Sequence, residues 1–107
     1  MFNGPRGVAY NEAFALKRLP EKIEDLSSIQ RALIRDFIVD QEYYEKQRGL
    51  VEWGNSKRKS GSAFDAARAY MEIHEKRWKV ARISIERWFG GRSVGKIRSA
   101  VFDDVAA

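Results

Sequence analysis

The sequence predicts an all-α fold, a small bundle of about four to five helices within a single domain of 107 residues. Apolar residues recur at three- and four-residue steps along most of the chain, as on the buried face of a helix. No segment shows a competing strand pattern, and both prolines lie before residue 21, which permits long helices afterwards. An apolar content of 44% excludes a disordered chain.

The first half of the chain is predicted to form the scaffold. Residues 1–7 contain two glycines and a proline and are expected to be a flexible N-terminus. Scaffold helices occupy 8–48: a short helix from Val8 to Leu19, ended by Pro20, and a longer one at about 28–48. Ser27 or Ser28 caps the longer helix and Gly49 ends it. Its predicted buried positions are Ile29, Leu33, Phe37, Ile38 and Tyr44.

Residues 49–62 are predicted to form a basic loop. Lys57, Arg58 and Lys59 come just before Ser62, which has the spacing from Asp65 of a capping box at a helix start. Cations beside free N–H groups and a hydroxyl favour a contact with phosphate. A solvated loop without a ligand explains the same pattern.

Residues 63–103 form the predicted basic helical half. One series of positions follows alternating steps of three and four: Phe64, Ala67, Met71, His74, Trp78, Ala81, Ile85 and Trp88. A single helix over 63–89 would present this stripe for homodimerisation, whereas two helices broken between His74 and Lys79 would bury it in a core. Gly90 and Gly91 end the helix in either case, and Ser93 caps a last helix from Val94 to about Asp103. Its predicted inner face is Val94, Ile97 and Val101.

The positive charge is unevenly distributed along the chain. Twelve Lys or Arg and four acidic residues lie between Lys57 and Arg98, whereas residues 1–56 hold eight basic and nine acidic side chains. Such a basic region attracts polyanions and releases counterions on contact. Aromatic residues interleaved with the charge indicate a folded nucleic-acid-binding module. A solvated basic face on an ordinary helical domain is the alternative.

The segment from Ile85 to Val101 resembles the helix-turn-helix of bacterial and phage transcription regulators. Gly91 matches the turn glycine, with Ser93, Ile97 and then Ala100-Val101 at the expected spacings. The segment departs from that pattern at Arg87, where a small residue is usual, and at Arg92, where an apolar residue is usual. The resemblance implies that the second helix enters the major groove. The residues that would then face nucleic acid are Arg92, Ser93, Gly95, Lys96, Arg98 and Ser99.

Other chemistry has little support in the sequence. The chain has no cysteine and one histidine, His74, which cannot assemble a standard zinc site and is expected to be structural. No nucleophile motif is present, so we expect no enzyme, metal or cofactor. Without a long apolar run or a leader pattern, the expected location is the cytoplasm, at the nucleoid, with no membrane partner.

These observations predict a small regulatory protein that binds nucleic acid, with DNA favoured over RNA, and controls transcription. Trp53, beside the basic triplet, is the tryptophan expected to be exposed for base stacking. The alternative is an antitermination-type factor that docks on RNA polymerase through the 8–48 helices and touches nucleic acid only non-specifically. Binding to an isolated DNA fragment at physiological salt distinguishes the two functions.

Overall fold

The computed structural model describes residues 14–106, and its regular elements are all helical, which confirms the predicted all-α class. Residues 14–16 are helical and 17–18 form a turn, so the predicted helix ends three residues before Leu19; its predicted start at Val8 lies outside the described residues. A short 3₁₀ helix, Ile23–Asp25, precedes four α-helices. These are α1 (Ser28–Ser56), α2 (Ser62–Trp78), α3 (Arg82–Gly90) and α4 (Val94–Ala106). None of the described helices is both long and apolar enough to cross a membrane.

The described residues form two compact units. The first unit contains residues 14–37 and 80–106, and the second contains Ile38–Lys79. Helix α1 supplies its first ten residues to the first unit and the remainder to the second. Each unit has its own buried side chains.

Helix α1 begins with a reciprocal cap. The Ser27 hydroxyl accepts a hydrogen bond from the Gln30 backbone N–H at 3.1 Å, and the Gln30 side-chain oxygen accepts one from the Ser27 N–H at 3.0 Å. This is a capping box, and it confirms Ser27 as the cap. The Gln30 amide also donates to the carbonyls of Ala15 and Arg18, which ties the preceding segment to the helix.

The predicted end of α1 at Gly49 is wrong, because the helix continues to Ser56. A glycine inside a helix costs only about 1 kcal/mol relative to alanine, and tertiary contacts offset such a cost. Val51 is buried one turn further on, and Gly54 packs against the ring of Phe64. The basic loop predicted over 49–62 therefore shortens to the few residues after Ser56.

The helix prediction for 63–89 left two structures open, and the chain adopts the broken one. Helix α2 ends at Trp78, within the interval from His74 to Lys79 where the break was predicted. Helix α3 begins at Arg82, after a turn over 79–81. Six of the eight positions in the three- and four-residue series are buried, and the other two are half-buried. The buried positions are Ala67, His74, Trp78, Ala81, Ile85 and Trp88. The series therefore packs inside the units.

The core of the first unit joins α1, α3 and α4. Leu33, Ile34 and Phe37 of α1 are buried, as are Ile97 and Val101 of α4. Phe37 meets Phe89 of α3 edge-to-face at 6.1 Å between ring centroids, an arrangement favoured by the ring quadrupoles. Arg35 adds a hydrogen bond to the Val101 carbonyl.

Two predicted core positions are exposed instead. Ile29 is 66% exposed and Val94 is 59% exposed, so neither lies on an inner face. Both occupy the first turn of a helix, where the apolar period continues but no neighbouring element covers the side chain. Ile34, by contrast, is fully buried and belongs to the inner face of α1.

Candidate nucleic-acid interface

All four acidic residues between Lys57 and Arg98 have a partner within the protein. Asp65 pairs with Arg68, Glu72 with Lys76 and Glu86 with Arg82, each within one helical turn. Glu75 accepts a hydrogen bond from the Tyr44 hydroxyl at 3.0 Å. Several exposed cations of this stretch have no acidic partner among the described residues: Lys57, Arg58, Lys59, Lys79, Arg87 and Lys96.

Three of these cations form a fixed turn after α1, which we call the basic turn (residues 57–59). The Lys59 N–H donates to the Gly54 carbonyl at 2.8 Å, and the Arg58 N–H donates to the Asn55 carbonyl at 3.2 Å. This pair of bonds is the Schellman arrangement that closes a helix C-terminus. Arg58 occupies the left-handed position of that motif, with φ 54°. The backbone of the basic turn is therefore held in place while its side chains are exposed.

Trp53 lies one helical turn before the basic turn and is 50% exposed, as predicted, although in a helix and not in a loop. Its ring stacks on Phe64 of α2, with 6.2 Å between centroids and 24° between planes. Gly54 makes this stack possible, because a Cβ at position 54 would lie 2.6 Å from the Phe64 ring. We call Trp53 and Phe64 the aromatic platform.

The other two tryptophans are unsuited to base stacking because both are buried. Trp78 is fully buried and donates its indole N–H to Asp40 at 3.1 Å. Trp88 is 8% exposed and donates to the Pro20 carbonyl at 2.7 Å. Each indole is thus part of the core, and its N–H group donates a hydrogen bond within the protein.

Ser62 does not act as the predicted cap. It is the first residue of α2, and the N-cap position belongs to Gly61, whose φ of 138° is one that only glycine adopts readily. No side-chain oxygen caps this helix end. Ser62 is exposed and lies three residues after the basic turn in the sequence.

The second group of predicted contact residues lies around the connection between α3 and α4. Ser93 caps α4, as predicted, since its hydroxyl accepts a hydrogen bond from the Lys96 N–H at 3.4 Å. Lys96, Arg98 and Ser99 are exposed on α4, and the Arg98 guanidinium lies 5.0 Å from the centre of the Phe102 ring. Gly95 is exposed as well.

Arg92 has a structural engagement that the sequence did not predict. Its guanidinium donates to the carbonyls of Trp88 and Glu21, at 2.7 and 2.6 Å, and lies 4.4 Å from the centre of the Trp88 ring. It therefore anchors the segment before α1 to the end of α3. Arg92 was predicted to be an exposed contact to nucleic acid, but its side chain is half-buried and some of its N–H groups already donate hydrogen bonds within the protein.

Acidic residues adjoin the start of α4. A groove of about 330 Å³ lies between the 3₁₀ segment and the α3–α4 connection, and its lining includes Glu21 and Glu24 beside Lys22, Ser93 and Lys96. The carboxylates oppose the approach of a phosphate to the free N–H groups of α4. A helix-turn-helix that contacts DNA with the N-terminus of α4 would have to overcome the repulsion between these carboxylates and the DNA phosphates.

His74 is buried, as predicted for a structural histidine. Its ring stacks on Tyr44 with 4.4 Å between centroids, and it is 3% exposed. Nearby, burial raises the pKa of the Tyr70 hydroxyl above its ordinary value of 10.0, and the Asp40 carboxylate raises it further. Across the described residues, no three His, Asp or Glu side chains are grouped to hold a metal ion.

Comparison with known proteins found no match to this chain among family models, curated proteins or solved structures.

Proposed function

We propose that this chain is a small nucleic-acid-binding regulatory protein that acts in transcription. The observation that carries the proposal is the juxtaposition, within one unit, of the basic turn and the aromatic platform. Cations neutralise phosphates, and an exposed indole stacks on a base whatever its identity. The cytoplasm, at the nucleoid, is the proposed place of action.

The conformation of Arg58 supports a role for its charge. A non-glycine residue in the left-handed region costs on the order of 1 kcal/mol, and Schellman motifs ordinarily place glycine there. The chain instead carries a cation at this position, flanked by two lysines. Residues held in unfavourable backbone regions concentrate at functional sites. Arg58 is therefore the first residue to test as a phosphate contact.

Helix α4, in the first unit, carries a second and separate set of proposed contacts. Lys96, Arg98 and Ser99 are exposed on it, consistent with the helix-turn-helix resemblance, while Ser93 is occupied as a cap. Glu21 and Glu24 beside the α4 N-terminus weaken its attraction for DNA. We therefore assign the larger part of the binding free energy to the basic turn, and DNA is the proposed ligand ahead of RNA.

The proposal is tested by the salt dependence of binding to a labelled DNA oligonucleotide. Changing Lys57, Arg58 and Lys59 to Ala should reduce the log–log salt slope by up to roughly three, because each lost phosphate contact removes about one released counterion. The matched control is Lys46→Ala, which removes an exposed cation elsewhere on α1. An unchanged slope in a folded triple variant would exclude the basic turn. Single-stranded, duplex and RNA probes at one salt concentration identify the form of nucleic acid bound.

A second candidate function is docking on a larger protein such as RNA polymerase, as antitermination factors do. The observation that favours it is a pair of apolar side chains one helical turn apart on α1, Val39 and Tyr43, each about half exposed. Neighbouring exposed apolar side chains that form a contiguous patch are typical of interaction sites. This function predicts only weak DNA binding that disappears at physiological salt, whereas a site-specific regulator keeps discriminating between sequences there.

A further inference from the structure

A second groove in the first unit is lined mainly by cationic and apolar side chains. It lies between the segment before α1 and helix α3, and its volume is about 310 Å³, at the lower end of the range for small-molecule sites. Its polar lining consists of Lys17, Ser84, Arg87 and Arg92. We call it the cationic groove.

The charge of the cationic groove has one sign. Among the described residues that line it, three are cations, one carries a hydroxyl, and none is acidic. The Glu86 carboxylate next to Arg87 is directed to Arg82 at 3.6 Å. The neighbouring groove, which shares Arg92, contains Glu21 and Glu24 and is electrostatically mixed. An anion is therefore favoured in the cationic groove and not in its neighbour.

Arg92 is already positioned for such a ligand. Its two hydrogen bonds to the carbonyls of Trp88 and Glu21 and its stacking on the Trp88 ring fix the guanidinium before any ligand arrives. A guanidinium has five N–H donors, so these two bonds leave three for a ligand. Fixing the side chain in advance lowers the entropic cost of binding.

The remaining lining is apolar. Leu16, Leu19 and Trp88 border the groove, and Leu16 and Trp88 are buried in the unit beneath it. Two guanidinium groups and a lysine match the oxygens of a phosphate group, and Arg binds phosphate in a bidentate fashion. Leu19, which is half-buried, can then contact the organic part of the ligand.

We propose that the cationic groove binds the phosphate group of a nucleotide, either a free one or a unit of a nucleic-acid strand. Lys17, Arg87 and Arg92 contact the phosphate oxygens, and Ser84 donates its hydroxyl. The site is independent of the basic turn. It extends the proposed function only if the phosphate belongs to a nucleic-acid strand.

The test follows the Trp88 indole and Ser84 amide signals by NMR while AMP is added to the full chain. AMP should shift both signals, and adenosine, which lacks the phosphate, should not. Arg87→Gln and Lys17→Gln should each raise the dissociation constant for AMP roughly tenfold, the value of one charge-assisted hydrogen bond. Both residues are exposed, so the variants retain the fold. The matched control is Lys22→Gln, which removes a cation from the mixed groove and should change the constant less than twofold.

A short DNA oligonucleotide then identifies the source of the phosphate. If it shifts the same signals with the same dependence on Arg87, the ligand is a nucleic-acid strand; if only AMP does so, the ligand is a free nucleotide. No shift with AMP or the oligonucleotide would overturn the proposal, as would equal losses in Arg87→Gln and Lys22→Gln. The basic-turn triple variant separates the two proposals, because it should leave the AMP shifts intact while weakening oligonucleotide binding.

Discussion

Gly54 occupies a position in α1 where any side chain would collide with another residue. The Cβ of an alanine there would lie 2.6 Å from the Phe64 ring, well inside van der Waals contact. The ring cannot move away without losing its stacking on Trp53. Gly49 lies in the same helix, but a Cβ there would meet nothing within 4 Å.

The two glycines should therefore respond oppositely to alanine. Gly49→Ala should raise the free energy of unfolding by up to about 1 kcal/mol, the difference in helix propensity between the two residues. Gly54→Ala should lower it by ~1–2 kcal/mol, because overpacking outweighs the same gain in propensity. Denaturant unfolding of both variants measures the two changes. Stabilisation by Gly54→Ala would show that Phe64 does not pack on α1 as described.

At the scale of the helix, the C-terminus of α1 combines a structural and a proposed binding role in Arg58. Arg58→Gly should stabilise the fold by ~0.5–1 kcal/mol, because glycine adopts the left-handed conformation without the Cβ penalty. Arg58→Ala keeps the penalty and should leave stability nearly unchanged. Both variants remove the cation and should weaken DNA binding equally, as measured by fluorescence anisotropy. Equal stability of the two variants would contradict the assigned backbone conformation.

Helix ends that depend on local chemistry could be predicted from the sequence. Ser27 and Ser93 cap α1 and α4, and the glycines at 90 and 91 end α3. The end of α1 could not be predicted, because its continuation past Gly49 depends on the packing of Phe64 against Gly54, a contact across the following turn. Helix propensity at one glycine is too weak to decide against such a contact.

The candidate site, like the helix ends, could be predicted only where it depends on residues close together in the sequence. Exposure of the basic turn follows from its charge, and the half-exposure of Trp53 follows from its place beside that charge. The engagement of Arg92 could not be predicted, since its acceptor on Glu21 lies 71 residues away in the chain. Likewise, the cationic groove takes Lys17 from before α1 and Arg87 from α3, and no local pattern relates them.

At the scale of the whole molecule, the net charge of +5 arises mainly from cations that the local acids leave unneutralised. The ion pairs formed within α2 and within α3 are largely exposed and contribute little to stability. Their effect is to confine the unpaired positive charge to particular places, among them the basic turn, Arg87 and Lys96. High salt should therefore reduce nucleic-acid binding far more than it reduces the stability of the fold.

If a base stacks on Trp53 while the basic turn binds the adjoining phosphates, the fluorescence of Trp53 should respond to nucleic acid. Trp78 and Trp88 are buried, so Trp53 is the tryptophan that a base can reach. Adding an unlabelled single-stranded oligonucleotide should quench the emission of the wild-type chain and quench that of Trp53→Phe much less. Quenching that persists undiminished in Trp53→Phe, or that is absent from the wild type at saturating oligonucleotide, would contradict the claim.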